Sequence, residues 1–223
     1  MSAAREPGHN RLQIAVLLYP QLTTLDAIGP YEVLRELPGA QVTFVGKYAG
    51  PVRDEHGLTL LAEASIEELP NPDVLLVPGG RGTAALLNDQ GIHDWLRRAH
   101  ETSIWTTAVC TGSLLLGAAG LLRGKRATTY WRRIDRLREY GAEPVKERFV
   151  FDGRIVTAAG VSAGIDMALA LAARIAGEDT AKAIQLAIEY DPQPPFDCGS
   201  PDKAPESIHR ALADLARGPA PAT

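Results

Sequence analysis

A thiol set at the junction of a strand and a helix is a candidate nucleophile, and Cys110 occupies such a junction. The run Trp105-Thr106-Thr107-Ala108-Val109 feeds it, with no intervening loop, into a helix beginning near Thr111. A residue at that turn is pressed into a strained conformation and presented outward. The following helix aims its N-terminal N–H groups and positive dipole end at the sulfur, which predicts a bias towards thiolate. Gly112 removes side-chain bulk beside it. The competing reading is a packed core cysteine, because free cysteine is among the most buried residue types. Cys198, in Phe196-Asp197-Cys198-Gly199-Ser200, has no helix after it and reads as a loop residue.

Two further features share the geometry of Cys110, since each follows an apolar strand. Asp26 comes soon after the first strand and precedes Ala27-Ile28-Gly29-Pro30. An aspartate there can cap a helix, or it can move a proton to or from whatever the thiolate attacks. Gly79-Gly80 ends the third strand. Its backbone N–H groups suit developing negative charge, as in an oxyanion hole, and a plain tight turn is the alternative. Gly80-Arg81-Gly82-Thr83-Ala84-Ala85 matches the spacing of a dinucleotide fingerprint. It follows the wrong strand, however, and the next strand ends without an acidic residue for a ribose. The five histidines, at 9, 56, 93, 100 and 209, form neither a metal-ligand pattern nor a local general base for Cys110. Neither a metal nor an organic cofactor is expected.

The elements that must position these residues alternate. Strands are expected at Gln13–Leu18, Gln41–Val45, Val74–Val77 and Ile104–Ala108, and a short one at Ala127–Thr129. Helices are expected at Asp26–Leu37 (ragged at Gly29-Pro30), Thr83–Leu87, Ile92–Glu101, Ser113–Leu122, Trp131–Tyr140, Ala163–Ala176 and Asp179–Tyr190. Arg53–Leu61 reads as a hairpin-like excursion. Phe149–Phe151 and Arg154–Ala158 read as a hairpin turned at Asp152-Gly153. The alternation implies an α/β sandwich around a mostly parallel central sheet. In such sheets ligands sit beyond the carboxyl ends of the strands, where Asp26, Gly79-Gly80 and Cys110 all lie.

At 223 residues with no internal repeat, one domain over 12–207 is expected, with loosely attached tails at 1–11 and 208–223. Acidic residues outnumber basic ones, 27 to 23, which leaves no electrostatic case for nucleic acid. The polar N-terminus lacks the apolar core of a signal peptide, and no apolar run is long enough to span a bilayer. Two cysteines in unlike contexts suit a reducing compartment, so the expected location is cytoplasmic.

Three segments together carry a resemblance: Val77-Pro78-Gly79-Gly80, Val109-Cys110-Thr111-Gly112-Ser113 and Leu25-Asp26-Ala27-Ile28-Gly29-Pro30. They resemble the DJ-1/PfpI superfamily and, within it, its isocyanide hydratase branch. Segments 117–129, 162–166 and 189–196 add to the likeness, which runs from about Leu12 to about Ser207. The resemblance implies a flavodoxin-like three-layer sandwich with a strand-to-helix nucleophile elbow. It also implies a homodimer, with Cys110 as nucleophile, Asp26 as acid/base and Thr111 in support. The protease-like branch has His where this chain has Thr111, and the DJ-1 branch has Glu where this chain has Asp26. Against the pattern Thr-Thr-His-Trp common in this neighbourhood, the chain reads Thr128-Thr129-Tyr130-Trp131.

The implied reaction adds water to an organic isocyanide through a covalent cysteine thioimidate, with Gly79-Gly80 N–H groups orienting the intermediate. Two readings compete on the same fold: a glyoxalase-like enzyme acting on 2-oxoaldehydes, and a redox sensor whose thiol is oxidised by peroxide. Similar domains occur fused to helix-turn-helix regulators, but the segment after Tyr190 is too short for two such units.

Overall fold

Leu12–Leu18 (β1) is buried along its last five positions, as a strand covered on both faces must be. The computed structural model describes residues 11–217. In chain order there follow Thr24–Leu34 (α1), Ala40–Gly46 (β2), Gly50–Arg53 (β3), Thr59–Ala62 (β4), Ala64–Ser65 (β5), Val74–Val77 (β6), Thr83–Leu86 (α2), Gln90–Thr102 (α3), Trp105–Val109 (β7) and Gly112–Ala118 (α4). Then come Arg126–Ala127 (β8), a 3₁₀ helix at Trp131–Tyr140, Glu143–Pro144 (β9), Phe149–Asp152 (β10), Ile155–Ala158 (β11), Ala163–Ala176 (α5), Glu178–Ala187 (α6) and Glu206–Arg217 (α7).

Seven strands form the main sheet in the order β10-β11-β7-β6-β1-β2-β5. Every neighbouring pair is parallel except the β10–β11 hairpin. Helices α1 and α5 pack together on one side, and α3 packs with α4 on the other. This is the expected sandwich of helices around a mostly parallel sheet. The chain leaves β1 towards β2 and returns at β6 on β1's other side, so strand order reverses between β1 and β6. The crevice opened by such a reversal is where open parallel sheets bind ligands.

Several boundaries differ from expectation. Helix α1 begins at Thr24 and carries Pro30 inside it, not near its start. A proline there forgoes one intrahelical bond, the one to the Asp26 carbonyl. Close helix contact compensates: a Cβ on Gly164 of α5 would stand 3.0 Å from Pro30 Cγ, and one on Gly29 3.0 Å from Ile165 Cγ1. Small residues thus let α1 and α5 approach, which seats the first turn of α1 over the sheet. The excursion is a true antiparallel pair, β3 with β4, outside the main sheet. The stretch 131–140 is helical, as a 3₁₀ helix.

The chain divides into two compact units between Glu189 and Tyr190. Residues 206–217 form helix α7 where a tail was expected from 208. The amphipathic spacing of Ile208, Leu212 and Leu215 accounts for it, and all three side chains are exposed. Cys198, also in this second unit, is exposed. The outermost tail positions, 1–10 and 218–223, lie outside the described residues.

Candidate active site

Cys110 takes a φ of 56°, a region that non-glycine residues rarely occupy and that costs about 1–3 kcal/mol. The neighbours hold it there from both ends. Its N–H donates to the carbonyls of Ala158 (3.1 Å) and Ala159 (2.8 Å), at the end of β11. Its carbonyl accepts the hydroxyls of Thr129 (2.8 Å) and Ser113 (3.0 Å). A Cβ at Gly112 would stand 2.1 Å from the Val77 carbonyl oxygen, so glycine alone lets α4 start this close to β6. The elbow expected from sequence is present.

The expected bias of its sulfur towards thiolate is not. Burial raises the Cys110 pKa, and the negative charge of Asp26 raises it further. The N–H groups of Thr111 and Val161 donate to the sulfur and oppose this without overcoming it. Exposure is the deciding variable, because Cys110 keeps only 6% of its surface. A helix terminus favours a thiolate strongly only where desolvation does not charge more than the dipole returns.

Asp26 is fully buried in the first turn of α1. It does not cap that helix: the N-cap is Thr23, with no side-chain capping bond. One carboxyl oxygen accepts the Gly79 N–H at 2.9 Å, and the other has no hydrogen-bond partner among the described residues. The carboxyl lies beside the Cys110 thiol, and each group shifts the titration of the other. Burial pushes Asp26 up, the Gly79 and Cys110 contacts oppose it, the charge of Glu55 adds to the rise, and the net result is about 7. Two buried acids in contact behave as one unit. Asp26 is thus placed to ionise near neutrality, while burial and the Asp26 charge keep the proton on the Cys110 sulfur.

The Gly79 and Gly80 amides are not free oxyanion donors. Gly79 N–H is given to Asp26, and Gly80 N–H to the Thr111 hydroxyl at 3.0 Å. A Cβ at Gly79 would stand 2.5 Å from Thr111 N and 2.9 Å from Cys110 Cβ, so the turn must be glycine to sit against the elbow. Thr111 also contacts Thr83 Oγ1 at 2.9 Å. Thr83 in turn meets the Tyr19 hydroxyl at 3.1 Å, and Tyr19 donates to the Pro78 carbonyl at 2.8 Å. The Thr111 hydroxyl also donates to the Gly80 carbonyl at 3.3 Å. Thr111 therefore locks the glycine turn to the elbow.

Local sequence carries no signal for several other groups here. Val161, with φ of 38°, supplies an N–H to the sulfur from the turn before α5. Thr129 reaches the elbow from the loop after β8, and the charge of Glu55, on the β3–β4 turn, bears on Asp26. Tyr130 lies close by: a Cβ at Gly160, next to Val161, would be 3.0 Å from its ring. Among the described residues, no group of three or more His, Cys, Asp or Glu could hold a metal ion, and no helix is long and apolar enough to cross a membrane.

A strained cysteine at a strand-to-helix elbow, beside a buried carboxyl at the switch point of a parallel sheet, defines a thiol–carboxyl site. Residues 12–174 match the model of the DJ-1/PfpI family, and the chain belongs to that family. The isonitrile hydratase of Pseudomonas putida is 50% identical over 197 residues, which are 88% of this chain and 86% of that protein. A crystal structure of a ThiJ/PfpI family protein from Pseudomonas syringae superposes with a TM-score of 0.89 at 38% identity, covering 93% of this chain and 87% of that one. Drosophila melanogaster DJ-1beta shares the fold, with a TM-score of 0.73 at 23% identity over 80% of this chain and 98% of that one.

Proposed function

We propose that the protein is an isocyanide hydratase, converting an organic isocyanide and water to an N-substituted formamide. The observation that carries this reading is the Cys110–Asp26 pair, a strained elbow thiol beside a carboxyl, both buried and each shifting the titration of the other. The terminal carbon of an isocyanide both accepts a nucleophile and takes up a proton. A thiol with an adjacent carboxylate supplies both from one site. Asp26 removes the Cys110 proton, and the sulfur attacks the terminal carbon. Asp26 then returns that proton to the same carbon, leaving a thioimidate on Cys110. Water next adds to the imidate carbon while Asp26 takes its proton. Collapse of the adduct moves a proton to nitrogen, breaks the carbon–sulfur bond and releases the formamide. The Asp26 proton passes back to the sulfur.

The commitment of the Gly79 and Gly80 amides agrees with this choice. Acyl transfer needs donors aimed at an oxyanion, whereas the first step here places the new electron density on carbon, where a proton neutralises it. Gly79 serves by holding Asp26, and Thr111 by fixing the turn. We further infer a cytoplasmic homodimer, which sedimentation equilibrium would test.

The test is hydration of one aryl and one alkyl isocyanide, followed by formamide appearance, with intact-mass spectrometry during turnover. An adduct of substrate mass is expected on Cys110, and Cys110→Ala is expected to lose all turnover. Substantial activity in Cys110→Ala would eliminate the covalent route. Turnover of methylglyoxal to lactate with none of either isocyanide would replace this reading by the glyoxalase-like one.

A further inference from the structure

The turn between β3 and β4 places a second carboxylate against the N-cap of α1. Glu55 is largely enclosed, its side chain keeping 15% exposure, although it sits at a hairpin tip where acids usually point to water. Three contacts hold it. Its Oε1 accepts the Thr23 hydroxyl at 3.0 Å, and its backbone N–H donates to the Leu22 carbonyl at 3.2 Å. Its Oε2 meets Arg81 Nε at 3.5 Å. Thr23 is the N-cap of the helix that carries Asp26, and Arg81 follows the Gly79-Gly80 turn that binds Asp26. Glu55 therefore ties together the two segments whose meeting positions the acid/base carboxyl.

We propose that Glu55 is a positioning residue for the reacting pair: it keeps a second negative charge facing Asp26, and Arg81 is the exposed counter-charge that moderates it. This rests on the reading of Cys110 and Asp26 as the reacting pair. The charged and titratable groups around this carboxylate come from several elements: Tyr19 after β1, Asp26 on α1, Arg81 after β6, and Asp54 and His56 on its own turn. Tyr19 is buried and neutral, its titration pushed up by burial and by the charges of Asp26, Cys110 and Glu55. Asp54 is engaged with Thr24 Oγ1 at 2.7 Å and with the N–H groups of His56 and Leu58. His56 Nε2 stands 3.7 Å from Glu55, largely in solvent. That leaves Arg81 and Glu55 as the pair through which the charge over Asp26 is set. Arg81 is 70% exposed, so its screening of Glu55 is partial.

The experiment compares pH profiles for Glu55→Gln, Arg81→Gln and the double variant, all in a Cys198→Ser background. Two readouts are used: kcat/KM for isocyanide hydration, and the rate of Cys110 alkylation by iodoacetamide, which needs no isocyanide. Glu55→Gln is expected to move the acid limb of both profiles to lower pH by roughly 0.3–1 unit, a two- to tenfold change in rate on that limb. Arg81→Gln is expected to move it to higher pH, and the double variant to fall close to Glu55→Gln alone. Loss of structure cannot produce opposite shifts from two neighbouring neutral replacements. An unmoved limb in Glu55→Gln, or both single variants moving the same way, overturns the proposal. Failure of the wild type to hydrate either isocyanide would overturn the functional reading instead, and the alkylation profiles would still decide the role of Glu55.

Discussion

Asp26→Asn is expected to make the protein more stable and inactive, with a stability gain that grows with pH. The carboxyl is fully buried, and its titration is raised from the ordinary 3.8 to about 7. The folded state therefore holds a proton that the unfolded chain releases between about pH 4 and pH 7, so stability falls as pH rises through that window. Above about pH 7 both states are ionised and the whole penalty remains, about 4 kcal/mol. Near pH 5.5 only about 2 kcal/mol of it has developed. Asparagine keeps the shape and still accepts the Gly79 N–H, but it carries no charge to desolvate. Urea unfolding of wild type and variant at about pH 5.5 and 8.5 gives the two differences directly. The variant should be more stable by about 2 and about 4 kcal/mol respectively. Hydration activity should be absent at both pH values. Equal stability differences at the two pH values, or a variant less stable than wild type at the higher one, would refute the claim that Asp26 is a strained, desolvated base.

The same titration sets the rate. The kcat/KM for hydration should fall about tenfold per pH unit below about pH 7, because a protonated Asp26 cannot take the thiol proton; a limb near pH 4 would mean an unperturbed carboxyl. Gly79→Ala should cost roughly 1–3 kcal/mol in chemical denaturation and more than about tenfold in kcat, since its Cβ meets Thr111 and Cys110 at under 3 Å. Thr129→Val should lower stability by about 1 kcal/mol and reduce kcat with little change in KM, by removing one of two hydroxyls holding the Cys110 carbonyl. Cys198→Ser should retain full hydration activity, because that thiol is exposed in the second unit.

Much of this molecule is local and therefore legible in the chain. The apolar runs within β1 and β6 are continuous because both faces of a parallel sheet are covered. The Cys110 junction is visible because no loop residues separate strand from helix. Asp26, Gly79 and Cys110 could be grouped because parallel topology brings strand carboxyl ends to one edge. The chain also limited the chemistry, since it offers no histidine beside the thiol and no clustered metal ligands.

What only the tertiary structure decided concerns electrostatics and partners across long sequence separations. The helix terminus behind Cys110 argued for a thiolate. Burial, which depends on how α1, β11 and the 159–161 turn close over the sulfur, reversed that balance. The Gly79 and Gly80 amides read as free donors until Asp26 and Thr111, 53 and 31 positions away, were seen to take them. Nothing in the neighbours of Glu55 along the chain tells that the β3–β4 turn meets the start of α1 at Thr23 and Thr24. A residue's type and local geometry follow from nearby sequence. Its protonation state follows from desolvation and from charges that only the folded chain brings within reach.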